Sequence, residues 1–309
     1  MVWSAESPDG SSYIVVGWMK NADGIKNQGI WKLNPSNGDV MWYFNFASGH
    51  KSDALETVQF TPDGGIVVGG YVNGDNEGSP GKSAGQQSEA NPFIAKLSAA
   101  SIAGTEEPAG YEWFWYETDV PTYKGSAKAI RVDQNNGDIY ANFGRKISVI
   151  KLDSTGNVLA KSKAFKDKWK MQGSDLEIAP DGGIIVGGLA HTGGQKAAIM
   201  KLDPNTLDIV WQKIHGGYPG GVNQYKGLDG GNRRYVIDEC WGLMATTDAN
   251  GVPTGYALGC GTGIEGCPDV PGYENLKAEC EKDPRIEWRS LVVATDLNGD
   301  MTWYRIDNF

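Results

Sequence analysis

The sequence has little of what marks a catalyst. Histidine occurs three times and cysteine four times in 309 residues. There is no Walker-type phosphate loop, no Gly-x-Ser-x-Gly elbow and no His-Glu-x-x-His helix. Phosphoryl transfer, serine-hydrolase chemistry and zinc-protease chemistry therefore have no support in the sequence. No stretch approaches the ~18 consecutive apolar residues of a membrane-spanning helix, so no membrane span is expected. No basic and apolar leader opens the chain. Met1 runs straight into strand-like Val2 and Trp3, the start expected of a mature or excised domain, with flanking domains beyond it. Positive charge is in deficit, with 28 Lys and Arg against 38 Asp and Glu, for a net −10. Nucleic acid and anionic membranes need a basic footprint, so neither is an expected partner. The plain reading of the acidity is a solubilising surface.

What the sequence has is glycine, large aromatics and a repeat. The 43 glycines are about twice the usual share of roughly 7%, which suits an architecture dense in turns. The 11 Trp and 13 Tyr favour strands. "PDGGIVVGG" from Pro62 to Gly70 returns as "PDGGIIVGG" from Pro180 to Gly188, and a looser copy starts at Pro8. A second phrase follows as Trp31-Lys32-Leu33-Asn34, Ala95-Lys96-Leu97-Ser98, Ile150-Lys151-Leu152-Asp153 and Met200-Lys201-Leu202-Asp203. A third phrase centres on an aromatic residue at Trp42, Trp113 to Trp115, Trp211 and Trp303.

One unit thus reads as strand, Asp-Gly turn, Val/Ile-rich strand, variable loop, Lys-Leu strand, short turn and Trp-bearing strand. Asp-Gly between apolar runs predicts a hairpin with a primed turn. Four short antiparallel strands per repeat predict a propeller blade. The fold class expected is all-β, a β-propeller of five four-stranded blades in one domain over residues 1–309. The repeats run over 1–49, 50–124, 125–170, 171–238 and 239–309. The rival is a fragment of a six- or seven-bladed propeller. The third repeat is degenerate, with Asn136-Gly137 for Asp-Gly-Gly and Leu159 at the Trp position. In the fifth, Thr295-Asp296 stands for Lys-Leu.

The Asp-Gly-Gly, Gly-Gly, Lys-Leu-Asp and Trp pattern resembles repeats of secreted bacterial β-propeller proteins, of the delta-repeat and quinoprotein-like kind. The resemblance spans nearly the whole chain. It implies a fold rather than a function, since such propellers serve as adhesion, carbohydrate-binding, scaffold and enzyme domains. It carries over no catalytic residue.

Long loops on a rigid scaffold carry function, and three are expected on one face: Asn73–Asn91, His215–Tyr235 and Gly261–Glu287. Ala99–Gly110 is a long connection on the opposite face. The 73–91 loop is rich in Gly, Ser and Gln and reads as a plain surface insertion. The second offers Tyr218, Tyr225, Arg233, Arg234 and Tyr235, groups that stack on rings and hold acids; packing on neighbouring blades is the equal alternative. His50 and His215 occupy equivalent places after fourth strands, and with Trp241 they complete the candidate ligand-binding set. His191 reads as an ordinary turn residue.

The cysteines all fall in the last repeat. An even, clustered set points to disulfides and an oxidising compartment, hence an extracellular or cell-surface location. Hairpin register places Cys240 opposite Cys260, leaving Cys267 and Cys280 to staple the long loop. Zinc and free thiols are the weaker alternatives, because close Cys-x-x-Cys pairs are missing. Carboxylates near first strands are Asp53, Glu56, Asp175, Glu177, Asp238 and Glu239. Lining a channel, Glu56, Asp175, Glu177, Asp238 and Glu239 would suit Ca²⁺, a cationic ligand or glycosidase-type acid–base chemistry; residues pointing away, solvated or paired at blade ends, are the alternative. Asp296, Asn298 and Asp300 imitate a calcium loop but sit at a recurrent turn. No cofactor is expected beyond that option for calcium. The leading functional expectation is a secreted or surface binding domain for carbohydrate or protein. A propeller hydrolase or lyase and a purely structural repeat domain are the alternatives.

Overall fold

The computed structural model describes residues 3–46, 52–72, 91–117, 125–143, 148–162, 172–191, 195–216, 236–264, 278, 281–282 and 288–307. These form five four-stranded antiparallel sheets, each with its strands in chain order, and one helix of five residues. The fold class is all-β, built of five β-propeller blades. The chain divides into two compact units, Met1–Ala164 and Phe165–Phe309.

The first unit holds three blades. Blade 1 is β1 (Trp3–Glu6), β2 (Tyr13–Lys20), β3 (Lys26–Leu33) and β4 (Val40–Phe46). Blade 2 is β5 (Ala54–Phe60), β6 (Ile66–Val72), β7 (Asn91–Leu97) and, after the helix α1 (Ala99–Ala103), β8 (Trp113–Tyr116). Blade 3 is β9 (Ala127–Val132), β10 (Ile139–Phe143), β11 (Ser148–Leu152) and β12 (Val158–Lys161). The second unit holds two. Blade 4 is β13 (Gln172–Ile178), β14 (Ile184–His191), β15 (Gln195–Leu202) and β16 (Ile209–His215). Blade 5 is β17 (Val236–Thr247), β18 (Pro253–Ile264), β19 (Arg289–Thr295) and β20 (Met301–Asp307).

The first hairpin turn is not the primed two-residue turn that the sequence suggests. In Thr61-Pro62-Asp63-Gly64 the Gly64 N–H donates to the Thr61 carbonyl at 2.9 Å, and Thr61 N–H donates to Gly65. Gly64 has φ 84°, and Leu207 is the sole non-glycine residue at positive φ among the described residues. The glycine therefore closes the turn at its fourth place, where a side chain would strain the left-handed backbone. Asp63 shapes the same turn by accepting from the Gly65 N–H at 3.1 Å.

The Gly-Gly pairs have a packing cause. Opposite them the first strand carries one extra residue, a β-bulge. That residue is Glu56 in blade 2 and Ser174 in blade 4; blades 3 and 5 carry the same bulge, at Lys128 opposite Asn142-Phe143 and at Trp241 opposite Gly259-Cys260. A Cβ on Gly70 would overlap the Ala54 carbonyl oxygen of the bulged strand. A Cβ on Gly69 would come within 2.6 Å of Ile130, on the next blade. One glycine admits the bulge and the other lets the neighbouring sheet approach.

The lysine of each Lys-Leu phrase is drawn inward to an Asp or a carbonyl. Lys96 bonds Asp63 at 2.6 Å, Lys151 bonds Asp138 at 2.9 Å, and Lys201 bonds Asp181. Lys32 instead donates to the carbonyls of Ile102 and Gly104, at 2.7 and 3.2 Å, at the end of α1. Burial pushes its amine down in pKa.

Register corrects two alignments. Lys151 faces Ala160, as Lys32 faces Trp42 and Lys201 faces Trp211. The Trp position of blade 3 is thus Ala160, and Leu159 is the extra residue of an outer-strand bulge, like Met41 and Val210. In blade 5 the Lys-Leu places belong to Ala294 and Thr295, because Tyr256 faces Thr295 as Ile184 faces Leu202. A bulge shifts the count by one residue, and sequence alignment does not see it.

Candidate functional site

The outer-strand tryptophans are fastened to the following blade. Trp42 is 4% exposed and its indole Nε1 donates to the Gly104 carbonyl of blade 2 at 3.2 Å. Trp113 Nε1 donates to Ser154 of blade 3 at 3.1 Å, and its ring would lie 2.8 Å from a Cβ on Gly156. In the second unit Trp211 covers Gly299 of blade 5, where a Cβ would overlap the ring. Beside it Lys213 bonds Asp300 at 2.7 Å, and His215 Nε2 lies 2.8 Å from the Gly299 carbonyl. Burial pushes the His215 imidazole below its ordinary pKa, against the pull of that carbonyl.

Blade 5 repeats part of this arrangement on the outward face of its own sheet. Its inner face, with Leu243, Leu258 and Val293, packs on Ile185, Ala197 and Ile199 of blade 4. The opposite face follows from the register. One row is Met244, Ala257, Ala294 and Trp303, and the next is Gly242, Gly259, Val292 and Arg305. These rows match Glu177, Ile185, Lys201 and Trp211, and Asp175, Gly187, Ile199 and Lys213, of blade 4. Here Met244 is 60% and Trp303 52% exposed. Gly242 and Gly259 open onto empty space. At the inner end Trp288 lies over Gly261, its ring 2.8 Å from where a Cβ would sit.

Trp241 belongs to this region. It is the bulge residue of β17, 57% exposed, and follows Cys240 directly. Cys240 is bonded to Cys260, its direct cross-strand partner, as the hairpin register predicts. The disulfide and the bulge together fix where the indole leaves the strand.

The first-strand carboxylates have structural partners. In the first unit Glu56 accepts from Ser126 Oγ and from Lys128, both at 2.7 Å. Asp53 is fully buried, with its N–H donated to Lys26 at 2.9 Å. Asp53 also pushes up the buried Tyr111 phenol, after burial itself. In the second unit Asp175 accepts from the N–H groups of Leu176 at 2.8 Å and of Leu243 at 3.0 Å. The second bond reaches the strand of the next blade just past its bulge. Asp238 is fully buried and accepts from Thr262 at 2.6 Å. Glu177 is bonded to the Ile178 N–H at 3.3 Å, and Glu239 is half-buried. Among the described residues no three His, Cys, Asp or Glu side chains stand together as a metal site. Asp296 accepts from the N–H groups of Asn298 and Asp300, both at 2.9 Å. The calcium-like spacing there is an Asx turn.

Other expected site residues lie outside the described residues: His50, Tyr218, Tyr225, Arg233, Arg234, Tyr235, Cys267 and Cys280. So does most of each long loop. The backbone of His191 is described in β14, but its side chain is not. Of the exposed residues of blade 5 the sequence names Trp241 alone as a candidate; Trp303 is passed over because the repeat makes it look like any other blade tryptophan.

No protein-family model matches the chain, and no curated protein matches it. Solved structures do match. A quinohemoprotein alcohol dehydrogenase from Pseudomonas putida HK5 aligns with a TM-score of 0.50 at 13% identity, over 96% of this chain and 52% of its own. The likeness is one of fold. This chain spans about half the length of that enzyme. A protein of unknown function from Bacteroides caccae gives 0.48 at 13% identity, over 99% of this chain and 81% of its own. A europium-containing methanol dehydrogenase gives 0.40 at 15% identity, over 82% and 42%. Among the described residues no helix is long and apolar enough to cross a membrane.

Proposed function

We propose that this chain is a binding domain whose partner surface is the open face of blade 5, and that the partner is a protein. One observation carries the reading: Met244 and Trp303 on the outward face of blade 5 are exposed, where the matching Glu177 and Trp211 of blade 4 are half-buried. Contiguous exposed apolar surface rimmed by polar groups marks protein interaction. Tryptophan and arginine, here Trp303 and Arg305, dominate the centres of such interfaces. The Cys240–Cys260 disulfide supports work in an oxidising compartment, outside the cell or at its surface.

A second reading is favoured by Trp241 and by Trp288 over its glycine floor. Flat exposed rings beside glycine stack on sugar rings, which makes a carbohydrate the alternative ligand.

The test is a photo-crosslinking amino acid placed at Met244, with a control at the exposed Val158 of blade 3. The expected result is protein adducts from position 244 that vanish in Trp303→Ala. Protein adducts equal at both positions, or none at 244, would reject the protein reading. Glycan-array binding lost in Trp241→Ala would favour the carbohydrate instead.

A further inference from the structure

We infer that the seam between blades 1 and 2 holds a structural water, bound by Gln28, Ser52 and Asn91 beside the buried Asp53. The site lies within the first unit and is independent of the blade 5 surface.

Ser52 and Asp53, which lead into β5, lie against the start of β3. Ser52 bridges to Lys26 in parallel, and the Asp53 N–H donates to the Lys26 carbonyl at 2.9 Å. Two residues along β3, Gln28 lies between Trp18 and Phe46 in the sheet. From blade 2 the Tyr111 phenol donates to Gln28 Oε1 at 2.8 Å. The Tyr111 ring packs on Phe44, Phe46 and Phe93, with centroids 5.3, 4.9 and 5.6 Å away. Asn91 stands two residues before Phe93 on β7, hence on the same face of that strand.

Three polar atoms here are sealed from solvent without a hydrogen-bond partner among the described residues: Gln28 Nε2, Ser52 Oγ and Asn91 Oδ1. Gln28 and Ser52 are 0% exposed. Buried polar groups are costly to leave unpaired, and native structures rarely do so. The kinds of atom decide what meets them. Gln28 engages its carbonyl with Tyr111 and has only N–H left to give. Asn91 Oδ1 can only accept, and the Ser52 hydroxyl does either. Amide hydrogens repel a metal cation, and the Asp53 carboxylate repels an anion. Water accepts from Gln28, donates to Asn91 and shares a bond with Ser52, which makes the roughly three bonds of an internal water.

The seam of blades 4 and 5 fills the same places differently. By register Asp238 corresponds to Asp53, Thr262 to Val72, Ala197 to Gln28 and Arg289 to Asn91. Ile237 precedes Asp238 as Ser52 precedes Asp53. Asp238 takes the Thr262 hydroxyl at 2.6 Å, and a Cβ on Gly216 would overlap its carboxylate. Side chain and backbone thus close directly on that aspartate, and Ala197 and Ile237 bring no polar group. The first seam lacks the hydroxyl at Val72 and carries polar Gln28 and Ser52 instead. Water joins blade 1 to blade 2 there, where the second seam uses the chain itself.

A crystal structure of the intact chain, at a resolution that shows ordered water, tests the inference. A density peak is expected within about 3.2 Å of Gln28 Nε2 and of Ser52 Oγ or Asn91 Oδ1. A seam without a peak, or a direct hydrogen bond between Gln28 and Asn91, overturns it. Crystals soaked in rubidium chloride should show no anomalous scattering at the site; a rubidium peak would make it a cation site and overturn the inference as well. In solution, deuteron relaxation dispersion counts long-lived internal waters. Gln28→Met keeps the length of the side chain and removes the donor, so it should hold fewer such waters than the wild type, and an unchanged count is a refutation. Should Gln28→Met not fold, the wild-type crystal decides alone.

Discussion

Glu56 and Lys128 occupy the same bulge position in neighbouring blades, and their side chains meet at 2.7 Å. The pair joins two first strands at the one place where each has a residue too many. Glu56 is the better buried of the two and also accepts from Ser126. A double-mutant cycle with Glu56→Gln and Lys128→Met, read by urea unfolding, should give a coupling of about 1 kcal/mol. A coupling near zero would mean the two residues merely share a neighbourhood.

The tryptophans separate by what lies over them. Trp42→Ala removes an indole buried in the core of blades 1 and 2 and should cost about 3–5 kcal/mol. Trp303→Ala removes one that is mostly in water and should cost well under about 1 kcal/mol. Equal losses in thermal or urea unfolding would show that Trp303 has a covering within the monomer.

The two kinds of glycine should also separate. Gly182 has φ 84° and open space around it, so Gly182→Ala costs about 1–2 kcal/mol of left-handed strain. Gly70→Ala drives a methyl into the backbone of the bulged strand, and about 3 kcal/mol or more is expected. The ranking, measured by chemical unfolding, matters more than either value.

The disulfide closes a loop with a separation of 20 residues. Replacing Cys240 and Cys260 together by Ala should destabilise by about 3 kcal/mol. It should also loosen the seat of Trp241. An increase in red-edge fluorescence from Trp241, measured against a Trp241→Phe blank, would report that loosening.

Acid should weaken the first-hairpin turn of blade 2. Burial alone would raise the Asp63 carboxyl, but hydrogen bonds from Lys96, Thr61 and Gly65 outweigh it and hold the pKa at about 2. The unfolded value of 3.8 is higher, so the unfolded chain takes up the proton first. The stabilisation is complete above about pH 4 and is lost as pH falls toward 2. Asp63 is 54% exposed in its side chain, so solvent screening limits the effect to about 1 kcal/mol. The stability gap between wild type and Asp63→Asn should close over that interval. A gap constant with pH would contradict the assignment.

The repeat made the blades legible because each phrase has one physical cause. Asp-Gly closes a turn, Gly-Gly faces a bulge, Lys-Leu pairs inward and Trp docks outward. Cys240 and Cys260 were readable from hairpin register alone. The bulges were not readable, since an extra residue is a property of two strands and the pattern of either one hides it. That is why Leu159 looked like the Trp position when Ala160 holds it. The sequence left the first-strand carboxylates open between a ligand ring and paired side chains because it gives no partner; Glu56 bonds Lys128, Asp175 the Leu243 amide and Asp238 Thr262. Exposure of Trp303 was hidden by its likeness to Trp42, Trp113 and Trp211.

Trp113 and Trp211 lie in different copies of the repeat from the turn glycines that receive them, Gly156 and Gly299. A gene duplication that copies one whole unit therefore brings one new plug and one new socket, and every old match survives. A break within a unit strands a plug from its socket. The length of such a chain can thus change by whole blades over evolutionary time, while a mutation at Gly156 or Gly299 is felt by the preceding blade as well as by its own turn.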